Sequence, residues 1–288
     1  MSKSMNAYPI GSGWVPLTWI SSFHVGALLA FVPAFFTWEA LLVGLVLHWL
    51  TTSVGISMTY HRLLTHRGYA VRPKPLEYLL TMIGCCAAQG GAIGMVSDHR
   101  RHHAFTEQEH DTHSPIKGLY WAHWQWWIYK HETFPHTVAY YNRWAPDLMK
   151  DPVHRWLHRY HFLFPVALLG GLYAVGGMPW LVWGGFVRHV ACIHSSWSVN
   201  SIGHTFGYRN FATRDNSKNN WLIALITYGE GWHNNHHAAP TAARIGMRWW
   251  EIDMTYEMIR LLKVSGLAYN VKTMKPAQAE AAMAVAVG

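Results

Sequence analysis

The chain is poor in charge and in paired cysteine, and it carries no haem, flavin or iron–sulfur motif. Asp, Glu, Lys and Arg make up only 13% of its 288 residues, about half the ~25% of an ordinary soluble domain. Its three cysteines, Cys85, Cys86 and Cys192, are odd in number, and the first two are adjacent. That excludes a disulfide framework and a C-x-x-C metal site and leaves reduced thiols packed among apolar side chains as the expectation. Internal repeats and an independent soluble domain are absent. Residues 1–13 (MSKSMNAYPIGSG) are polar with a single Lys and are not expected to act as a cleavable signal.

Apolar and aromatic residues fill the space instead: 51% of the chain is hydrophobic, with 17 Trp, and 21 residues are His. A mean hydropathy of +0.02 averages long apolar runs with a His-rich polar portion. The net charge of +8 with His neutral points to an anionic membrane surface or an acidic protein partner. Nucleic acid is not an expected partner.

Two uncharged runs, Val15–Phe36 and Ala40–Tyr60, each reach the ~20 residues needed to cross a ~30 Å hydrocarbon core. The short link Thr37-Trp38-Glu39 makes them a helical hairpin. A second hairpin is expected from His161 to Val175 and from Met178 to about Asn200, turning at Gly176-Gly177. Neither tip holds Lys or Arg, whereas the opposite ends carry Arg62, Arg67, Arg72 and Lys74, then Lys150, Arg155 and Arg159, then Arg209, Arg214 and Lys218. By the positive-inside tendency both termini and the large polar regions are cytoplasmic.

Residues 76–96 are apolar enough to span, but they hold Gln89 and four glycines (Gly84, Gly90, Gly91, Gly94). Spanning would also put His66 and His99 on opposite sides. The stretch is therefore read as an interfacial or re-entrant helix under the cytosolic cap. The aromatic density of 117–160 suits the membrane–water interface. Arg248–Leu267 reads as an amphipathic helix ending at Gly266, and the Ala-rich tail 276–288 as disordered.

The chemistry lies in three histidine clusters: His61 and His66; His99, His102 and His103; and His233, His236 and His237 within Gly229-Glu230-Gly231-Trp232-His233-Asn234-Asn235-His236-His237. Imidazole is a neutral ligand for iron, zinc or copper. At 100° per residue, His99 shares a helix face with both His102 and His103, whereas His102 and His103 diverge by about 100°. His236 and His237 diverge likewise, and His61 and His66 differ by about 140°. Neighbours pointing apart favour two adjacent metals over one. Isolated histidines are more often hydrogen-bonded polar residues. That reading applies to His24, His48, His123, His131, His136, His154, His158, His161 and His189, with His110 and His113 closer to the clusters.

These motifs resemble those of the membrane-bound fatty acyl desaturases, in the Δ9 (stearoyl-type) branch. Tyr60-His61-Arg62-Leu63-Leu64-Thr65-His66 is similar to the family's H-x4-H box, Asp98 to His103 to its H-x-x-H-H box, and Gly229 to His237 to its third. Trp197-Ser198-Val199-Asn200-Ser201-Ile202-Gly203-His204 resembles its W-x-x-N-S-x-x-H segment, and the match runs from about 14 to 272.

The resemblance implies an all-α integral membrane protein. Four transmembrane helices in two hairpins (about 15–36, 40–60, 161–176 and 178–200) carry a cytosolic helical cap (61–160 and 201–275), all within one domain, 1–275. It implies a two-iron centre held by His61, His66, His99, His102, His103, His204, His233, His236 and His237, with Asn200 acting through a water, and zinc able to replace iron in purified protein. It also implies an acyl tunnel along Met95, Gln89, Ser196 and Trp197, in which flexible Met95 stands where the family often has Trp. The Gln89-Gly90-Gly91 sequence is closer to bacterial and cyanobacterial members.

The implied reaction is O2-dependent introduction of a cis double bond into a long acyl chain carried on CoA or on a lipid, using two electrons from outside. A ferredoxin or a cytochrome b5-like carrier would supply them. Two other readings remain: a hydroxylase or acetylenase using the same boxes, and a haem-binding membrane cytochrome whose ligands would lie inside the spans, at His48, His189 and His194. A zinc transporter predicts ionisable groups along a transmembrane path, whereas these histidines gather at one end of the spans.

Overall fold

The structure, a computed structural model, describes residues 14–129 and 135–274. The expected tail 276–288, His131 and the polar residues 1–13 lie outside the described residues. Among those described, three helices are long and apolar enough to cross a membrane: Trp14–Phe31, Trp38–Thr65 and Leu163–Ser201. That makes the chain a largely helical membrane protein.

The first of these begins as α1 (Trp14–Ala27) and tightens into a last turn, Leu28–Phe31. It stops where Pro33 follows, because proline has no N–H to continue the ladder. Thr37 then caps α2 (Trp38–Thr65), its Oγ1 accepting from the Ala40 N–H at 3.1 Å. The link is therefore longer and earlier than the expected Thr37-Trp38-Glu39: the first helix ends at Phe31, Pro33–Phe35 form a turn of their own, and the second helix starts at Trp38.

Within α2 the backbone widens from Trp49 to Thr65 into π-type winding, with bonds spanning five residues. His66 N–H donates to His61 O at 3.1 Å. The hydroxyls of Thr59 and Thr65 donate to the carbonyls of Val54 and Tyr60, each 2.7 Å away and five residues back. Hydroxyl side chains that bond back to the preceding turn loosen a helix in this way, and Thr51 to Thr65 are all buried.

The 76–96 stretch is not one helix. It divides into α3 (Lys74–Cys85) and α4 (Ala92–Phe105), separated by a turn in which Ala88 and Gly90 take φ of 58° and 94°. At 12 residues, α3 is about 18 Å long, too short to cross. It lies across the π-type segment where Gly55 and Gly84 meet; a Cβ on Gly55 would stand 2.8 Å from the Gly84 Cα.

The third long helix, α5 (Leu163–Ser201), is broken at Gly177 (φ 62°, ψ −153°). A Cβ on Gly184 would lie 3.1 Å from the Leu172 side chain. In a straight helix residues twelve apart are about 18 Å apart, so the chain doubles back at the expected turn. Its second arm packs on α2, where a Cβ on Gly44 would approach Trp183 O to 2.9 Å.

Beyond α5 come two short helices, α6 (Trp221–Ile226) and α7 (His233–Ala238), and then α8 (Met254–Val264). The last is shorter than the expected 248–267. Asp253 caps it, accepting from the Tyr256 N–H at 3.0 Å, so Arg248–Ile252 stay outside the helix. A two-residue antiparallel pair, Ala70–Val71 with Ala268–Tyr269, ties the chain's end to the exit of α2. The main core lies where the π-type part of α2 meets α3, α4 and α8, around Tyr60, Leu63, Ile93, Val96 and Ile259.

Candidate metal centre

Four segments deliver the histidines to one buried place. The end of α2 brings His61 and His66, and α4 brings His99, His102 and His103. The turn after α5 brings His204, and α7 brings His233, His236 and His237. They sort into two groups. In the first, the ring nitrogens of His61, His66, His99, His103 and His236 all lie within 4.8 Å of one another; in the second, those of His102, His204, His233 and His237 do.

All nine expected ligands are therefore brought together. The expected split of neighbours holds for His102 against His103 and for His236 against His237. It fails for His61 and His66, which share a group, because π-type winding stacks residues five apart. His99 and His102, which an ideal helix puts on one face, fall in different groups, whereas His99 and His103 stay together.

The donor set fits a metal. Nε2 atoms face each other at 3.1 Å (His61–His236), 2.9 Å (His236–His103) and 3.1 Å (His103–His99) in one group. In the other they face at 3.0 Å (His204–His233) and 3.1 Å (His233–His237). Adjacent ligands each about 2.1 Å from one ion stand about 3 Å apart. Four histidines give their Nδ1–H to carboxylates: His61 to Glu230 at 2.7 Å, His102 to Asp111 at 2.8 Å, His204 to Glu107 at 3.0 Å and His237 to Asp215 at 2.9 Å. With the proton held on Nδ1, each Nε2 turns a bare lone pair inward, the arrangement that orients a metal-ligating imidazole.

Facing lone pairs repel unless a cation lies between them. His66 Nε2 and His102 Nε2 are buried with no hydrogen-bond partner at all. Burial, reinforced by the neighbouring imidazoles, holds His66, His99, His102, His103, His233 and His236 well below the usual imidazole pKa. They are neutral at pH 7, as ligands must be.

The four carboxylates were not among the residues singled out in the sequence. Two had a signal: Glu230 sits inside the third cluster, and Asp111 sits between His110 and His113. Glu230 does most. It takes His61 on one oxygen and the Arg62 Nε and Nη2 on the other, at 2.9 and 2.8 Å, with Ser57 also donating to it. Burial opposes its ionisation, but Arg62 and His61 outweigh that and hold it well below the usual carboxylate range. Arg62 goes on to Asp253 and to Ala243 O at 2.9 and 2.8 Å.

The third cluster's other residues are clamps. Asn234 Oδ1 accepts from the backbone of Asn210 and Phe211, and Asn235 is held by Asn210, Asn219, Glu251 and Ile245 O. Gly231 is required because a Cβ there would stand 2.0 Å from Ala224 N.

A cavity reaches the two groups. His61, His99, His113 and His233 form its histidine wall, and all four expected tunnel residues, Gln89, Met95, Ser196 and Trp197, line it, as does Asn200. Gln89 Nε2 donates to Ser196 Oγ at 3.1 Å. His113 is buried beside His102, its ring 4.2 Å away, whereas His110 stays exposed.

Two histidine groups beside one cavity suit a dimetal enzyme with histidine boxes, and similarity to known proteins gives the family. The chain belongs to the fatty acid desaturase family. A sequence profile described as fatty acid desaturase matches residues 13–273. Over 267 residues it is 46% identical to the sn-2 palmitoyl-lipid 9-desaturase of Nostoc sp. (strain 36), covering 91% of each chain. It is 43% identical over 262 residues to the sn-1 stearoyl-lipid 9-desaturase of Anabaena variabilis, covering 90% of this chain and 93% of that one. It is also 43% identical over 254 residues to the acyl-CoA 5-desaturase of Anemone leveillei, covering 88% and 77%.

This desaturase is thus an oxidoreductase of fatty acyl chains. The haem reading is not favoured: the histidines that gather are those of the boxes, and these relatives are named as desaturases. Most of the histidines set aside in the sequence are hydrogen-bonded to groups other than the nine, such as His154 to Glu77 and His161 to His158 O.

Proposed function

We propose that this desaturase introduces a cis Δ9 double bond into the acyl chain of a membrane lipid, using two irons held by the nine histidines. The single observation that carries this is the pair of histidine groups with lone pairs converging at about 3 Å, opening onto one narrow cavity. The relatives named as acting on lipid-borne chains at position 9 support the carrier and the position; a relative named for acyl-CoA and position 5 is the reason both need testing.

Bound iron would supply the O2 chemistry that breaks an unactivated C–H bond, which side chains cannot do. The protein's part is placement. Glu230, Asp111, Glu107 and Asp215 fix which nitrogen of each ring is free. Asn200 stands in the cavity wall where it would hold a water on one iron. Gln89 bonded to Ser196, with Met95 and Trp197, shapes the wall that aligns two neighbouring carbons with the centre. The apolar lining keeps bulk water out, and zinc would fill the same neutral donors in protein purified without iron.

The break in α5 supports a reading with two hairpins, and the Lys and Arg at the ends opposite their tips give its orientation. Four spans, near 15–36, 40–60, 161–176 and 178–200, leave both hairpin tips outside. The termini, the cap of 61–160 and 201–275 and the active site are then cytoplasmic. Two electrons come from a small acidic carrier, a ferredoxin or a cytochrome b5-like protein, drawn by the net charge of +8.

Expression in a host that makes no unsaturated C18 chains, with a compatible donor and iron, tests this directly. Fatty-acid methyl esters are expected to show a new cis double bond at carbon 9 in the lipid fraction, and His236→Ala to abolish it. No new double bond at any position would sink the reading.

A further inference from the structure

Beside the cavity at the histidine centre lies a second cleft, between α1, the second arm of α5 and the short helix over Trp121–Ile128. Leu17, Ile20, Val25 and Ile128 make it apolar, and Ser21, His24 and His194 add polar edges. Two of its residues on α1 are open to the surroundings, Leu17 at 37% and Val25 at 66% exposure. On a helix apolar enough to cross a membrane, such a mouth faces hydrocarbon rather than water. Its inner end is Trp197, which is 3% exposed and lines both this cleft and the cavity that holds His61, His99 and His233. Trp197, packed with Ile20, Ile128 and Ile193, thus stands between the lipid side of α1 and the reaction site.

The three walls of the cleft are joined by a chain of histidines. His24 Nδ1 donates to Ile20 O at 2.8 Å, so a neutral His24 accepts at Nε2 from His194 Nε2 at 3.0 Å. His194 Nδ1 then accepts from His123 Nε2 at 3.0 Å, and His123 Nδ1 reaches Ser201 Oγ at 2.9 Å. Each ring uses both nitrogens, one to donate and one to accept, and the chain ties α1 to α5 and to the Trp121–Gln125 turn. Ile20, Ile128, Ile193 and Trp197 also pack together, so the walls are joined by polar and apolar contacts alike.

We infer that this cleft is the lateral entrance through which an acyl chain still esterified to a membrane glycerolipid passes Trp197 to the histidine centre. The inference rests on the lipid-substrate reading above and adds the route. A sideways opening suits a substrate that resides in the bilayer; a thioester with a large nucleotide head is held in water and has no use for it.

The test is made on the whole protein in vesicles of phosphatidylcholine carrying a diazirine midway along one acyl chain. Photolabelling followed by peptide mapping is expected to mark the Leu17–Val25 stretch and Trp197. Val25→Trp, which fills the mouth, is expected to cut label at Trp197 and double-bond formation in vesicle lipid at least tenfold, with bound metal unchanged. Val15→Trp, on an exposed position of α1 outside the cleft, is expected to change neither. Ile128→Trp fills the cleft from the opposite wall and decides the matter should Val25→Trp lose its metal. Label at Trp197 that survives both filling variants would overturn the entrance. Label placed as expected but no double bond in the labelled lipid would leave the entrance standing and sink the lipid-substrate reading instead.

Discussion

Single carboxylates decide whether a buried histidine here is a ligand or a liability. A neutral imidazole has one proton and one lone pair, and the nitrogen that keeps the proton is set by its partner. Asp111 accepts from His102 Nδ1 at 2.8 Å and from the N–H groups of Glu107 and His113 at 2.8 and 3.2 Å. It is entirely buried and leaves His102 Nε2 pointing at His204 and His237. Asp111→Asn keeps the shape but lets an amide donor face His102, so the ring gains no fixed tautomer. Metal affinity is expected to fall 10–100-fold, read by competition with a chelator, while the helical circular dichroism of the protein stays as it was. Unchanged affinity would remove Asp111 from the site.

At the scale of elements, apolar length was the readable part. The runs around α1, α2 and both arms of α5 were plain in the sequence because hydrocarbon tolerates few charges, and the Gly176-Gly177 turn was plain because two glycines interrupt an apolar run. The π-type winding of α2 was not. Nothing in a 3.6-residue period announces it, and it took the back-bonding hydroxyls of Thr59 and Thr65 to bring His61 and His66 to one side. Likewise, Ala88 at φ 58°, where a glycine is the usual choice, hid the break between α3 and α4.

The sidedness of these elements can be measured. With Cys85, Cys86 and Cys192 replaced by Ser, a single cysteine at Glu39, in the first hairpin tip, is expected to react with an impermeant maleimide on intact cells. One at Arg244, in the cap, is expected to react only after permeabilisation. The opposite pattern would invert the topology.

Taken whole, the molecule is a membrane base that delivers four separate segments to one end. Eight of the nine expected ligands were legible in the sequence because histidines cluster there without an apolar reason to do so, whereas the isolated His204 was legible only through the resemblance of Trp197–His204 to a family motif. Their division into five and four was legible only in part, through the adjacent pairs His102-His103 and His236-His237. What fixes the division is long-range: Arg62 and Glu230 bind the end of α2 to the chain before α7, and Asn235 binds α7 to the turn that follows α5.

The claim that matters most is that these groups hold two metal ions, one in each. Elemental analysis of protein purified without chelator, counting iron and zinc together per chain, measures it. Two ions are expected in the wild type. His204→Ala combined with His233→Ala, which strips the second group to His102 and His237, is expected to leave one. A single ion in the wild type, or no loss in the double variant, would contradict the two-metal centre.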